Sequence, residues 1–322
     1  MNGLIKAIEA ADTIAIAGHI RPDGDCIGSC MGLYTYIAAN FPGKKVSVYL
    51  EDFPEAFSYL KVEGALEKKA EVYDLFISLD CGDAERLGEA EAVLKKAGFV
   101  YNVDHHITNT KFGDENYVKV DASSTSQILY TLMEDEKIGY ETACALYTGI
   151  IYDTGVFKHS NTSEETMRIA GRLMEKGIPF GKIIDGSFYM KTYKQLQIMG
   201  RCLMESVRII DGRCIFSVVS KSVMDLYEAK PSDLDGIIDE MRTTEGVEVA
   251  ILLSEREPGE FKVSMRSNEV VDVSKIARYF GGGGHVRAAG CSIQGAAFDA
   301  INNLTGHIEK QLQENGNQDI AL

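Results

Sequence analysis

The chain has 322 residues, 45% of them hydrophobic, a length that accommodates two domains with well-buried cores. Its 48 acidic side chains against 33 basic ones give a formal charge of −15, concentrated in residues 1–186; this excludes coating of long nucleic acids through a basic surface, though not binding of a short anionic substrate. Neither a basic leader nor a run of about 18 apolar residues occurs, so no membrane span is indicated and a cytoplasmic location is expected, and the seven scattered cysteines (26, 30, 81, 144, 202, 214, 291) form no CxxC pair and read as reduced core thiols.

In chain order, β-rich runs alternate with helical periodicity through the first half. Strands are predicted at 13–18 (TIAIAG), 45–50, 74–80 (DLFISLD), 99–104 (FVYNVD) and 117–120, and helices at 26–39, 87–97, 124–136, 142–152 and 163–176. Such alternation predicts an α/β fold with a mostly parallel sheet flanked by helices. Thr162, with Glu165 three residues on, reads as the cap of the last helix, and Gly177 and Pro179 end it. Cys26 and Cys30, four residues apart, read as a core-facing helical stripe. The rhythm then changes. The expected organisation is a first domain over 1–186, a partly helical connector over 187–206 and a smaller α+β domain over 207–322. That last part opens on a hairpin signal, two apolar runs around Asp211 and Gly212. Helical patterns follow at 221–228 and 232–242, then strands at 247–254 and 261–267, a helix VSKIARY, a run of four glycines and a frayed tail at QENGNQ.

Chemistry-bearing side chains gather where the predicted strands end. His19, Asp23 and Asp25 follow the first, Asp80 and Asp83 the third, and Asp104, His105 and His106 close the fourth; Asp153 ends an apolar helical run. In an open parallel sheet the carboxyl ends of the strands share one edge, where ligands bind, so these segments converge. Taken singly, Asp23, Asp83 and Asp104 fit helix caps or turns, and a lone histidine is ordinarily structural; His159 and His307 are read as non-catalytic. Together the residues ask for positive charge. Two divalent ions about 4 Å apart would neutralise Asp23, Asp25, Asp80 and Asp153, activate a water and hold a phosphate ester for hydrolysis. Mixed imidazole and carboxylate donors favour Mn²⁺, with Co²⁺, Zn²⁺ or Mg²⁺ as alternatives.

The four segments HIRPDGDCIGS, DCGD, VDHH and YDTG, in this order, resemble the motifs of the DHH phosphoesterase superfamily. The resemblance implies one metal on His19, Asp23 and Asp80 and a second on Asp25, Asp80, His105 and Asp153, with Asp80 shared. It implies that His106 touches the substrate phosphate and that Asp104 orients the histidines, which makes His106, Asp80 and Asp104 the expected catalytic residues. Cys26 stands where many relatives have alanine.

In the second half, FGGGGHVRAAG (280–290) exposes backbone N–H groups beside His285 and Arg287, and SMRS (264–267) adds hydroxyl and guanidinium donors suited to a phosphate. A flexible hinge is the ordinary explanation of a glycine run alone. The pair resembles the DHH-associated C-terminal domain, which implies that Ser264, Arg266, Ser267, Gly282, Gly283, Gly284 and His285 bind the nucleotide part of a substrate, with the active site in the interdomain cleft. The same segment argues against the manganese-dependent inorganic pyrophosphatases. Length and charge argue against the larger single-strand exonucleases and cyclic-dinucleotide phosphodiesterases. What remains resembles the bacterial nanoRNase and pAp phosphatase group. The expectation is therefore a two-metal phosphoesterase, cytoplasmic and homodimeric, that converts RNA of two to five nucleotides, including pApA and pGpG, to mononucleotides and pAp to AMP. A nucleotide sensor without catalysis would have lost a metal-binding position, and none is lost.

Overall fold

Five apolar runs become the strands of one sheet: β1 (Thr13–Ala17), β2 (Lys45–Tyr49), β3 (Leu75–Leu79), β4 (Phe99–Asp104) and β5 (Glu115–Val118). The computed structural model describes residues 3–316, which divide into two units, the first ending at Met190 and the second beginning at Lys191. In the first unit all strand pairs are parallel, in the order β2-β1-β3-β4-β5. A parallel sheet covered on both faces needs apolar side chains on both, and every residue of β3 is buried. Ile14 and Ile16 of β1 join a large core on one face, whereas Ala15 and Ala17 join a smaller one around Phe76, Leu87 and Val100 on the other.

The helices of this unit are α1 (Gly3–Ala10), α2 (Gly24–Asn40), α3 (Glu91–Leu94), α4 (Thr125–Leu132), α5 (Tyr140–Asp153), α6 (Glu164–Met174) and α7 (Phe180–Ile184). Where α2 crosses α5 the backbones nearly touch: a Cβ on Gly28 would lie 2.5 Å from the Ala145 carbonyl oxygen and 2.8 Å from the Gly149 nitrogen. Glycine at this crossing lets the start of α2 and the end of α5 face the same sheet edge. The helix predicted over 87–97 is instead a 3-10 segment, Ala84–Ala90, and the single turn α3, because Gly88 turns the backbone to φ +56°. Helix α4 also stops at Leu132, four residues short of expectation. The cap of α6 is Ser163, in a capping box with Thr166, rather than Thr162 with Glu165. Cys26 and Cys30 are buried, as the helical stripe required.

The second unit holds α8 (Tyr193–Met204), β6 (Val207–Ile209), β7 (Cys214–Val219), α9 (Lys221–Leu226), α10 (Ile237–Arg242), β8 (Val249–Glu257), β9 (Glu260–Ser267), α11 (Val273–Tyr279), β10 (Gly283–His285), β11 (Ala288–Gln294) and α12 (Ala297–Gly316). Its sheet runs β10-β11-β9-β8-β7-β6, parallel only between β7 and β8. Residues 210–212 turn between β6 and β7 with φ near +50°, +50° and +80°, so the hairpin forms at Asp211 and Gly212 as expected. Two residues of the glycine run are themselves strand, Gly283 and Gly284 pairing with Gly290 and Ala289. Part of the predicted frayed tail is helical, since α12 continues to Gly316; residues 317 and 318 lie outside the described residues. Among the described residues no helix is long and apolar enough to cross a membrane.

Candidate metal centre

The order β2-β1-β3 reverses direction between β1 and β3, the position in a doubly wound sheet where a crevice opens beyond the strand ends. His19, Asp23 and Asp25 follow β1, and Asp80 follows β3. Asp80 carries the geometry. It sits at φ +55°, in the left-handed region that Asp tolerates better than most side chains, and is 2% exposed. Its Oδ2 is 3.5 Å from His19 Nε2 and its Oδ1 is 3.4 Å from His105 Nε2, so the two oxygens face two different imidazoles. Asp153 at the end of α5 brings Oδ2 to 3.1 Å from His105 Nε2.

Asp23 serves two purposes. One oxygen caps α2, accepting from the backbone N–H groups of Asp25 and Cys26 at 3.0 Å each, and the other lies 3.8 Å from His19 Nε2. The cap reading and the ligand reading of this residue are geometrically compatible. Asp25, fully buried, accepts from the backbone N–H groups of Thr125 at 2.6 Å and Ser126 at 3.0 Å, at the start of α4. The Thr125 hydroxyl donates to Asp80 Oδ1 at 3.1 Å. Sequence reasoning missed Thr125 and Ser126; the hydroxyl cluster SSTS (123–126) was the available signal, hidden because such residues ordinarily read as caps, and Ser124 is indeed the cap of α4.

Asp104 is buried and saturated. Its Oδ1 faces His106 Nδ1 at 2.7 Å and accepts from the His105 N–H at 2.8 Å, while Oδ2 accepts from the Asn109 side-chain amide at 2.6 Å. Held by that nitrogen, His106 is left with Nε2 as its free polar atom. Asp83 caps the 3-10 segment through the Arg86 N–H. Beyond Asp153, residues 155–157 all have φ between +54° and +64°, and for Val156, a β-branched residue, that conformation is strained.

The electrostatics ask for cations. Burial disfavours charge on His19, yet the Asp23 and Asp80 carboxylates push its pKa up to about 11. Burial likewise opposes charge on His105, and Asp153 and Asp80 overcome it to reach about 11. Burial first, then the Asp80 and Asp153 charges, pushes the Asp25 carboxyl well above the usual carboxylate range. A divalent ion supplies the charge that these groups otherwise seek from protons. The donor set fits one: His19 Nδ1 contacts the Ile20 carbonyl at 2.8 Å, which assigns the proton to Nδ1 and leaves the Nε2 lone pair toward Asp80. Ligand atoms of Asp25, His105 and Asp153 lie within 4.8 Å of one another, as do those of His19, Cys26 and Asp80.

In the second unit, strand alternation places Ser264 and Arg266 on one face of β9, with Arg266 Nε 3.4 Å from Asp239. Ser267 faces the other way, buried, and donates its hydroxyl to the Val271 carbonyl at 2.6 Å. The glycines differ in role. A Cβ at Gly282 or Gly284 would collide with the backbone of β11, whereas one at Gly283 would meet nothing within 4 Å. His285 is exposed on β10. Arg287 donates to the Val271 and Glu269 carbonyls and so ties down the turn after β9. His307 packs against the rings of Tyr279 and Phe280.

A doubly wound sheet with a carboxylate shared between two imidazoles at its switch point defines a metal-dependent phosphoesterase. The chain belongs to the DHH family: residues 13–150 match the DHH family N-terminal domain and residues 215–314 the DHHA1 domain. It is 31% identical to the bifunctional oligoribonuclease and PAP phosphatase NrnA of Thermus thermophilus, over 97% of this chain and 94% of that protein. Identity to the protein of the same name in Bacillus subtilis is 25%, over 97% and 98%. The crystal structure of an exopolyphosphatase-related protein from Bacteroides fragilis superposes with a TM-score of 0.82 at 25% identity, covering 95% of this chain and 94% of that one. The resemblance drawn from the four motifs is borne out.

Proposed function

We propose that the protein hydrolyses RNA of two to five nucleotides, including pApA and pGpG, to mononucleotides, and pAp to AMP, in the cytoplasm and as a homodimer. The observation that carries this reading is Asp80, one oxygen toward His19 and the other toward His105, supported by likeness over nearly the whole chain to relatives named for these two activities. His19, Asp23 and Asp80 would hold one divalent ion and Asp25, Asp80, His105 and Asp153 another, with Mn²⁺ favoured by the mixed donors. When bound, such ions lower the pKa of water and neutralise charge developing on a phosphate.

The chain's own residues do the rest. Asp104 fixes the ring of His106 so that Nε2 can donate to a phosphate oxygen, and the same contact raises the His106 pKa, which favours the donating form. The Thr125 and Ser126 amides hold Asp25 in place. In the second unit Ser264, Arg266, His285 and the open backbone at Gly283 bind the nucleotide; Gly282 and Gly284 serve by close packing and Ser267 by fixing the adjacent loop.

The test is turnover of 5′-labelled pApA, pGpG, a 24-mer, a cyclic dinucleotide and pAp with Mn²⁺, beside Asp80→Asn. Fast hydrolysis of the short linear substrates and pAp alone supports the reading. Equal rates on the 24-mer indicate a single-strand exonuclease, a preference for the cyclic compound a cyclic-dinucleotide phosphodiesterase, and binding without turnover a sensor.

A further inference from the structure

Cys26 is fully buried yet belongs to no apolar core. Of the cysteines near the strand ends, Cys30 packs into the large core of the first unit and Cys81 into the smaller one. The Cys26 sulfur lies instead beside the metal centre. Ligand atoms of His19, Cys26 and Asp80 stand within 4.8 Å of one another, and none of the three residues is more than 5% exposed.

Gly18, just before His19, makes the room. A Cβ there would lie 2.2 Å from Cys26 Sγ, too close to coexist, so the sulfur fills the space that any other side chain at position 18 would take. Its present contacts are weak: the thiol donates to the His19 carbonyl at 3.8 Å and faces the Cys30 thiol. Cys81 is engaged elsewhere, donating to the Asp83 carbonyl at 3.0 Å. The first ion, on His19, Asp23 and Asp80, has one protein ligand fewer than the second, and Asp23 already lends one oxygen to the cap of α2. Ligand atoms on a tetrahedral ion stand about 3.5 Å apart for bonds of about 2.0–2.3 Å. His19 Nε2 is 3.5 Å from Asp80 Oδ2 and 3.8 Å from Asp23 Oδ2, so these three are near that spacing. The sulfur has at most about 1.3 Å to close.

We propose that Cys26 is a ligand of the first ion, its sulfur completing a mixed set with His19, Asp23 and Asp80. The inference rests on the two-metal reading above and adds to it what distinguishes the two positions. A thiolate favours Zn²⁺ or Co²⁺ over Mn²⁺ and Mg²⁺, so the first position selects a softer ion than the second, whose donors are imidazole and carboxylate alone. As the metal–sulfur bond forms, the thiol proton passes to solvent, and no oxidation state changes.

Cobalt spectroscopy on the full-length protein tests this. Protein stripped by a chelator and kept reduced by a phosphine is titrated with Co²⁺; calorimetry counts the ions bound, and a charge-transfer band in the near ultraviolet reports a cobalt–thiolate bond. The wild type shows the band. C26A and C26S still bind Co²⁺ and lack it, whereas C30A and C81A retain it. In competition, the preference of the first position for Zn²⁺ over Mn²⁺ falls about tenfold or more in C26S. Serine nearly preserves the volume of cysteine, so C26S stands in if C26A fails to fold. Co²⁺ bound to the wild type without the band overturns the proposal. So does a band that survives in either folded Cys26 variant. Wild-type protein that binds Co²⁺ no better than Asp80→Asn overturns the two-metal reading itself.

Discussion

Gly149→Ala is expected to disable the metal centre without replacing any side chain that would hold a metal. Gly149 lies where α5 crosses α2, and a methyl group there would overlap Asp25 Oδ1 and Ser126 Oγ. Restoring an ordinary 3.4 Å contact needs about 1 Å of movement at Asp25 Oδ1, now 2.4 Å from that Cβ, and about 1.4 Å at Ser126 Oγ, now 2.0 Å from it. Neither neighbour can yield freely: Asp25 is held by two backbone amides, and Ser126 belongs to the first turn of α4. The helices must therefore part, at a cost of ~2 kcal/mol in overpacking. A displacement of about 1 Å at a reacting centre lowers turnover roughly a hundredfold. The assay is pApA hydrolysis against Mn²⁺ concentration, with thermal unfolding alongside. Gly171→Ala on α6, where a Cβ meets nothing within 4 Å, is the control; it gains about 0.5–1 kcal/mol and keeps full activity. If Gly149→Ala hydrolyses pApA within twofold of wild type at the same Mn²⁺ midpoint, the helix crossing does not set the site and the reasoning fails.

Asp104→Asn removes the charge that fixes His106, so kcat falls about 10–100-fold while the Mn²⁺ midpoint stays within a few-fold; a shift confined to the midpoint would mean that Asp104 holds metal instead. Chelation abolishes hydrolysis and lowers the unfolding temperature, and Mn²⁺ at about 100 times its Kd restores ~2.7 kcal/mol of stability; Asp80→Asn shows a much smaller restoration, read by calorimetry. Far from the site, hydrogen bonds from the Thr13 N–H and hydroxyl and the Asp12 N–H hold the Asp74 carboxyl below the usual carboxylate range. A depressed folded-state pKa contributes stability that is present above the unfolded value near 3.9 and is lost as pH falls through the folded value. Asp74→Asn is thus destabilised at pH 7 by about 1 kcal/mol, and its deficit against wild type shrinks in acid; a deficit that grows toward pH 3 contradicts the assignment.

The strand ends were legible because a parallel sheet forces its carboxyl edge to be shared, so that motifs about 25–135 residues apart in the sequence had to meet. His19, Asp25, Asp80, His105 and Asp153 carry that inference. What stayed hidden depends on backbone groups and on φ. Nothing in SSTS announces that the Thr125 and Ser126 amides, rather than their hydroxyls, hold Asp25. The apolar periodicity of 87–97 predicts one helix, but a positive φ at Gly88 divides it. In GGGG the composition suggests uniform access, whereas two of the glycines make room for β11 and only Gly283 stands open among the three assigned to nucleotide binding. Ser267 reads like Ser264 in sequence; the period-2 alternation of β9 sends its hydroxyl into the loop instead.

The left-handed backbone at Asp80 narrows the mutational neighbourhood of the enzyme. Besides aspartate, asparagine and glycine occupy that region most readily, and the aspartate codons are a single base change from codons for both. Descendants that lose the shared carboxylate by either route keep an unstrained polypeptide path at this position. Gene duplication followed by one such substitution would leave a folded paralogue with an intact second unit, a ready starting point for a protein that captures short nucleotides without consuming them.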